Sequence, residues 1–229
     1  MTAVIHSHPN NQEHLSGRLL TQRKAALGDH VETLSDIYQD DTNIAIWQRD
    51  LALATEYAVD RMLTVKPNIR IETVVTPQDA YVRVSECVDV AGTTALCEDG
   101  AELVEMFCYL FELKQVGLRL HVVRGAMCPK FHEDRVPCRL ITTYRGAAME
   151  WLPHAMVDRS KLGHGSLGLS DSQSGLYQNA KDIEQLKNGH VALLKGTLWP
   201  GNEQAGLIHR SPATASTDER LLLTLDFVD

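Results

Sequence analysis

Apolar positions along this chain change rhythm near residue 117. From Asn43 they recur every three to four residues, at Trp47, Leu51, Ala54, Ala58 and Met62, with charges on the other face. That spacing predicts an amphipathic helix, which Pro67 ends. Thr76-Pro77 predicts a second helix, with threonine as the cap and proline in the first turn. A third is expected from Asp99, where Glu102 completes a capping-box-like pair and Val104, Phe107, Cys108 and Phe111 form the apolar stripe. Gly117 stops it.

Beyond Gly117 the segments are short and rich in β-formers. Leu118–Val123, Arg139–Tyr144, His190–Lys195, Gly206–His209 and Leu221–Phe227 read as strands. The last alternates cleanly, with Leu221, Leu223, Leu225 and Phe227 on one face. Helices first and strands second predict an α+β architecture with the chemistry on the sheet. Between the strands, residues 157–188 are long and polar, with Gly163, Gly165, Gly168 and several serines. They read as a loop or lid-like excursion, with a short helix at Ala180–Leu186. Residues 1–17 are polar and hold His6, His8 and His14, with no cysteine among them, so they read as a flexible tail. The expected organisation is that tail followed by a single domain over 18–229, mainly helical over 18–116 and β-rich over 117–229. No internal repeat is visible.

Composition narrows the class. A chain of 229 residues with 44% hydrophobic and 23% charged residues can bury a full core without staples. The 30 acidic against 22 basic residues give a net charge of −8, which argues against nucleic acid as the partner. No apolar run is long enough to span a membrane, and no signal peptide is evident. A cytoplasmic protein is expected. Its five cysteines (87, 97, 108, 128 and 138) form no CxxC pair and read as thiols rather than a disulfide framework.

The densest stretch of reactive side chains is Cys128 to Cys138, CPKFHEDRVPC. On an extended segment His132 and Asp134 face the same way. An imidazole and a carboxylate so placed can grip one face of a metal ion, and a distant third ligand would complete a two-His-one-carboxylate triad with open positions. His209 lies 75 residues beyond Asp134, at a strand end, and Arg220 lies 11 residues further on. Glu133, between the ligands, is expected to point away from the metal.

This order, HxD, CRLITTY, HVALLKG, IHR and DERLLLTLDF, resembles the iron(II)- and 2-oxoglutarate-dependent oxygenases over about 110 residues, from Leu118 to the C-terminus. The resemblance implies a double-stranded β-helix of the jelly-roll or cupin-like kind, behind the N-terminal helical layer. It implies iron held by His132, Asp134 and His209, and Arg220 on the C5 carboxylate of 2-oxoglutarate. Many members place a hydroxyl residue two positions after the arginine, where this chain has Leu222. Tyr144 or Thr143, on the strand after the metal motif, could supply the hydroxyl. The implied activity is a dioxygenase acting on a small molecule or a protein side chain. Over most of its length the chain also resembles a bacterial family known only as domain of unknown function 1826, through MCPKFHEDRVPCRLITTYRGAAMEWLP (Met127 to Pro153) and IAIWQR (Ile44 to Arg49). That resemblance implies no activity beyond a link to metal handling. Cys128 and Cys138 keep a second reading open. Thiolates joining the histidines would suit zinc, and a closed site would be non-catalytic. Buried apolar packing is the simpler role for both.

Overall fold

A computed structural model describes residues 22–213, 215 and 218–228. The histidines of the expected tail lie outside the described residues. The chain builds a mixed α/β molecule with a sheet-rich core. Its strands are β1 (Lys24–Gly28), β2 (Thr42–Trp47), β3 (Arg70–Val75), β4 (Val116–Arg124), β5 (Cys138–Arg145), β6 (Glu150–Leu152), β7 (Glu184–Gln185), β8 (Val191–Lys195), β9 (Ile208–Arg210) and β10 (Glu219–Asp226). Its longer helices are α1 (Leu53–Val65), α2 (Ala80–Val88) and α3 (Thr94–Phe111), and a single helical turn spans Asp171–Ser174. A 3-10 helix, Val31–Tyr38, joins β1 to β2.

Seven strands form a major sheet in the order β1-β2-β8-β5-β10-β4-β3, and three form a minor sheet, β7-β6-β9. Every pairing is antiparallel except β1 with β2. Alternation along the strands sorts the major sheet into two faces. Leu140 and Tyr144 of β5, Leu193 of β8, and Leu221, Leu223 and Leu225 of β10 join the helices in one large core. Ile44, Ile46, Ala192 and Leu194 pack the other way, against Met149, Trp151 and Leu207 around the minor sheet. The result is three layers: helices, major sheet, minor sheet. A third cluster, Phe131, Leu152, Leu176 and Ile208, fastens the 157–188 excursion beside the metal motif.

Several local expectations change. Asn43 to Trp47 is not the start of a helix but part of the buried strand β2, and helix α1 begins only at Leu53. A strand covered on both faces is apolar at successive positions, so a short run such as Ile44-Ala45-Ile46-Trp47 carries no period that separates it from a helix. With β1 and β3 it brings three strands from residues 18–116 into the sheet. The second helix begins at Ala80 with Asp79, not Thr76, at its cap position; Thr76 instead closes the turn before it, its hydroxyl accepting from the Asp79 backbone N–H at 3.3 Å while the Asp79 carboxylate accepts from the Thr76 N–H at 2.7 Å. The third helix begins at Thr94, so Asp99 is inside it rather than at its cap. Residues 180–186 form a 3-10 turn and the short strand β7, not a helix. No helix among the described residues is long and apolar enough to cross a membrane.

Candidate metal centre

Two distant segments bring the ligands together through their backbones. His132 and His209 exchange two hydrogen bonds, each N–H donating to the other's carbonyl at 3.0 Å. This lone antiparallel bridge sets the two imidazoles side by side, with ring centroids 4.6 Å apart. Glycine allows the support beneath. A Cβ on Gly196 would stand 2.1 Å from the Val136 carbonyl oxygen, so only glycine lets the end of β8 lie against the metal loop. Thr197 N–H then donates to the Asp134 carbonyl at 3.0 Å, fixing the backbone of the third ligand.

The Nε2 atoms of His132 and His209 approach Asp134 oxygens at 3.7 and 3.5 Å. One ligand atom from each of the three residues lies within 4.8 Å of the others. On the far side of each ring, Nδ1 meets a backbone carbonyl, Lys130 at 3.0 Å and Leu207 at 3.2 Å. Those carbonyls favour the Nδ1–H tautomer and leave both Nε2 lone pairs toward the cluster. Burial pushes the His209 imidazole down to about 4, against the attraction of Asp134, so it is neutral at neutral pH as a metal ligand requires. Arg139 donates to Asp134 at 2.5 Å and to Asp226 at 2.7 Å, tying the carboxylate to β10.

The cavity beside the cluster has a volume of about 110 Å³ and is lined by both histidines, Thr143, Arg220, Leu222 and Thr224, among others. Arg220, Leu222 and Thr224 share the face of β10 opposite the leucine core. Arg220 is 3% exposed. Among the described residues its Nη1 reaches only the Ala147 carbonyl, at 3.4 Å, and its buried Nε and Nη2 meet no partner. Burial alone lowers its pKa, and no carboxylate offsets it. Gly146 makes room behind it: a Cβ there would stand 2.9 Å from Arg220 Cγ and 2.4 Å from the Glu219 carbonyl oxygen.

Other candidates separate cleanly. Thr143 lines the cavity and pairs across from Leu222. Tyr144, its neighbour, faces the helices, where its hydroxyl donates to Asp99 at 2.6 Å, so it supplies nothing to the cavity. Cys138 lies on that same far face, and burial pushes its thiol strongly up. Cys128 is exposed and lines the cavity but falls outside the ligand cluster. A closed site with either cysteine is therefore not what the geometry offers. Glu133 turns away to Arg159, at 2.7 Å.

Asp171 went unnoticed in the sequence. One of its oxygens accepts from the Phe131 N–H at 2.9 Å and from Arg210 at 3.2 Å. It thereby links the residues flanking His132 and His209. Nothing in the surrounding polar excursion marks this aspartate out. Arg210 also pairs with Glu150 at 2.7 Å and stacks on Phe131.

The model of the family described as "Protein of unknown function (DUF1826)" matches residues 28–226. No curated protein matches the chain. Among solved structures, the chain is similar to the dioxygenase for auxin oxidation 1 from Arabidopsis thaliana in its 2-oxoglutarate complex, with 8% identity, 91% of this chain and 93% of that one covered, and a TM-score of 0.46. It is also similar to the rice dioxygenase for auxin oxidation, with 10% identity, coverage of 90% and 83%, and a TM-score of 0.48. A putative oxygenase from Shewanella oneidensis gives 11%, 90% and 89%, and 0.47.

Proposed function

For a chain that belongs to the DUF1826 family, whose description carries no activity, we propose a non-haem iron(II), 2-oxoglutarate-dependent oxygenase, with its two facing sheets as the walls of a double-stranded β-helix. The carrying observation is Arg220, a buried guanidinium with two unpartnered nitrogens on the cavity shared with His132 and His209. Burying an unpaired charge is costly, and an anion in the cavity would offset it.

The donor set fits the group. Two neutral imidazoles and a carboxylate suit a divalent first-row metal and leave positions open. His132, Asp134 and His209 would hold Fe(II), and Arg220 would take the distal carboxylate of 2-oxoglutarate through a bidentate contact. Once bound, the pair supplies oxidative decarboxylation coupled to oxidation of a substrate C–H bond. The chain's own residues do the orienting. The Lys130 and Leu207 carbonyls hold the imidazole planes, Arg139 holds the carboxylate, and Leu222 and Met149 keep the cavity apolar.

Anaerobic titration of metal-free protein with iron(II), then 2-oxoglutarate, tests this. A visible absorption band should need both additions and vanish in Arg220→Ala. No band, with tight zinc binding that ignores 2-oxoglutarate, would replace this reading with a non-catalytic zinc-binding protein on the same scaffold.

A further inference from the structure

Glu133 stands between two metal ligands but turns to the polar excursion, where Arg159 meets it. The Arg159 Nη1 donates to Glu133 at 2.7 Å, and its Nη2 donates to the Gly206 carbonyl. Leu207, the next residue, offers the carbonyl that orients His209. One guanidinium therefore ties the loop of His132 and Asp134 to the chain entering β9, which carries His209. Glycine permits the approach: a Cβ on Gly206 would stand 3.3 Å from Glu133 Oε2 and 3.0 Å from Thr197 Cγ2.

The same excursion grips the two histidine segments a second time. Asp171 accepts from the Phe131 N–H and from Arg210, the residue before His132 and the residue after His209. An apolar contact joins these polar ones. Phe131 and Ile208, which immediately precede the two histidines, are buried with Leu176 of the excursion, and Val157, Leu162, Tyr177 and Ile183 pack around them. Among the described residues this small cluster is separate from the two larger cores. A segment held by so few apolar contacts and two ion-paired side chains can open at a lower free energy than the whole fold.

We propose that the excursion is a clamp on the metal centre, coupled to metal occupancy, with Arg159 as a positioning residue. This rests on the metal-binding part of the oxygenase reading. Docked, the excursion holds the two ligand segments at the spacing a metal needs. Released, it frees both flanks of the bridge between His132 and His209. The metal therefore binds the docked form more tightly, and by linkage its binding holds the excursion down. Arg159 acts through Glu133 and Gly206 rather than on the metal.

Anaerobic iron(II) titration of the full chain against a chelator, with amide hydrogen exchange on the same samples, reads both halves of the coupling. R159Q should bind iron(II) about tenfold more weakly than wild type, in the range for groups that orient metal ligands. R159K returns a cation to Glu133 without the planar fork that also reaches Gly206, so its affinity should fall between the two. In metal-free R159Q, amides bonded within the excursion, such as Asp158 to the Leu176 carbonyl, should exchange faster, while those of α3 keep their wild-type rates. In wild type, iron(II) should slow the excursion amides, a measurement that stands even where R159Q fails to fold. Equal iron(II) affinity in R159Q and wild type overturns the clamp, as does excursion exchange that ignores iron(II). No iron(II) binding by wild type overturns the clamp and the metal centre together. The 2-oxoglutarate band separates the remaining case: with iron(II) bound, weakened in R159Q and no band, the clamp stands and the oxygenase reading falls.

Discussion

The two faces of β5 and β10 bury charge in opposite ways. On the helix side, Asp99 of α3 takes Arg49 through two contacts, at 2.8 and 2.9 Å, and the Tyr144 hydroxyl at 2.6 Å. Arg49 also donates to the Gly189 carbonyl at 3.0 Å. Arg49 and Asp99 thus each have a charged partner inside the protein. On the cavity side, Arg220 is still more deeply buried and has one long contact to a carbonyl. The first arrangement is complete as folded and serves the fold. The second has no such partner among the described residues, and a missing partner, rather than burial of charge alone, is what supports the proposed function.

The largest expected effect breaks the complete side. Asp99→Ala strands the Arg49 cation and the Tyr144 hydroxyl in a nearly dry layer, and should cost about 3–5 kcal/mol of stability in denaturant unfolding. Arg220→Met should do the reverse. Removing an uncompensated buried cation from the ligand-free protein should raise its stability by about 1–2 kcal/mol while abolishing 2-oxoglutarate binding. Loss of stability in Arg220→Met would mean that Arg220 already has a counter-charge, and the contrast between the faces would fail.

A smaller effect is expected at Asp171, which supports both ligand segments without touching the metal cluster. Asp171→Asn keeps the size and an acceptor but drops the charge facing Arg210. Metal affinity should fall about tenfold, in the range for groups that orient metal ligands, with little change in melting temperature. Unchanged affinity in competitive chelator titrations would reduce Asp171 to a fastener of the excursion.

The same contrast explains how much of the site was legible in the sequence. His132, Asp134, His209 and Arg220 stand in an order and spacing visible along the chain, and the fold brings the first three into one cluster beside Arg220's cavity. Thr143 and Tyr144 are adjacent, and adjacent strand residues face opposite layers, so only one could reach the cavity. Cys138, Leu140 and Tyr144 share one phase, and that phase faces the helices. The phase alone would have removed both Cys138 and Tyr144 from the metal side. The mistaken helix start at Asn43 came from an apolar run too short to show its period. Asp171 was unreadable because its role depends on how a polar excursion docks, and no local pattern encodes that.

The smallest expected effect lies at a third buried charge, which tests whether the helix side is as complete as it looks. Lys195, at the end of β8, is 2% exposed. Its Nζ donates to the Gln39 carbonyl at 3.1 Å and stands 4.7 Å from the centre of the Trp199 ring, with no carboxylate in contact. Burial pushes its pKa from the ordinary 10.5 down to about 8. Between those values the unfolded chain holds a proton that the folded chain has released, so stability rises with pH through this window. Cys138 acts oppositely above about pH 9, because burial raises its thiol and the unfolded chain loses that proton first. The difference between wild type and Lys195→Met cancels the cysteine contribution. Relative to that variant, wild type should gain about 1 kcal/mol between pH 8 and pH 9, read from urea unfolding at each pH. A difference that stays flat across this interval would mean that Lys195 keeps its proton in the fold, and that the Gln39 carbonyl and the Trp199 face suffice as its partners.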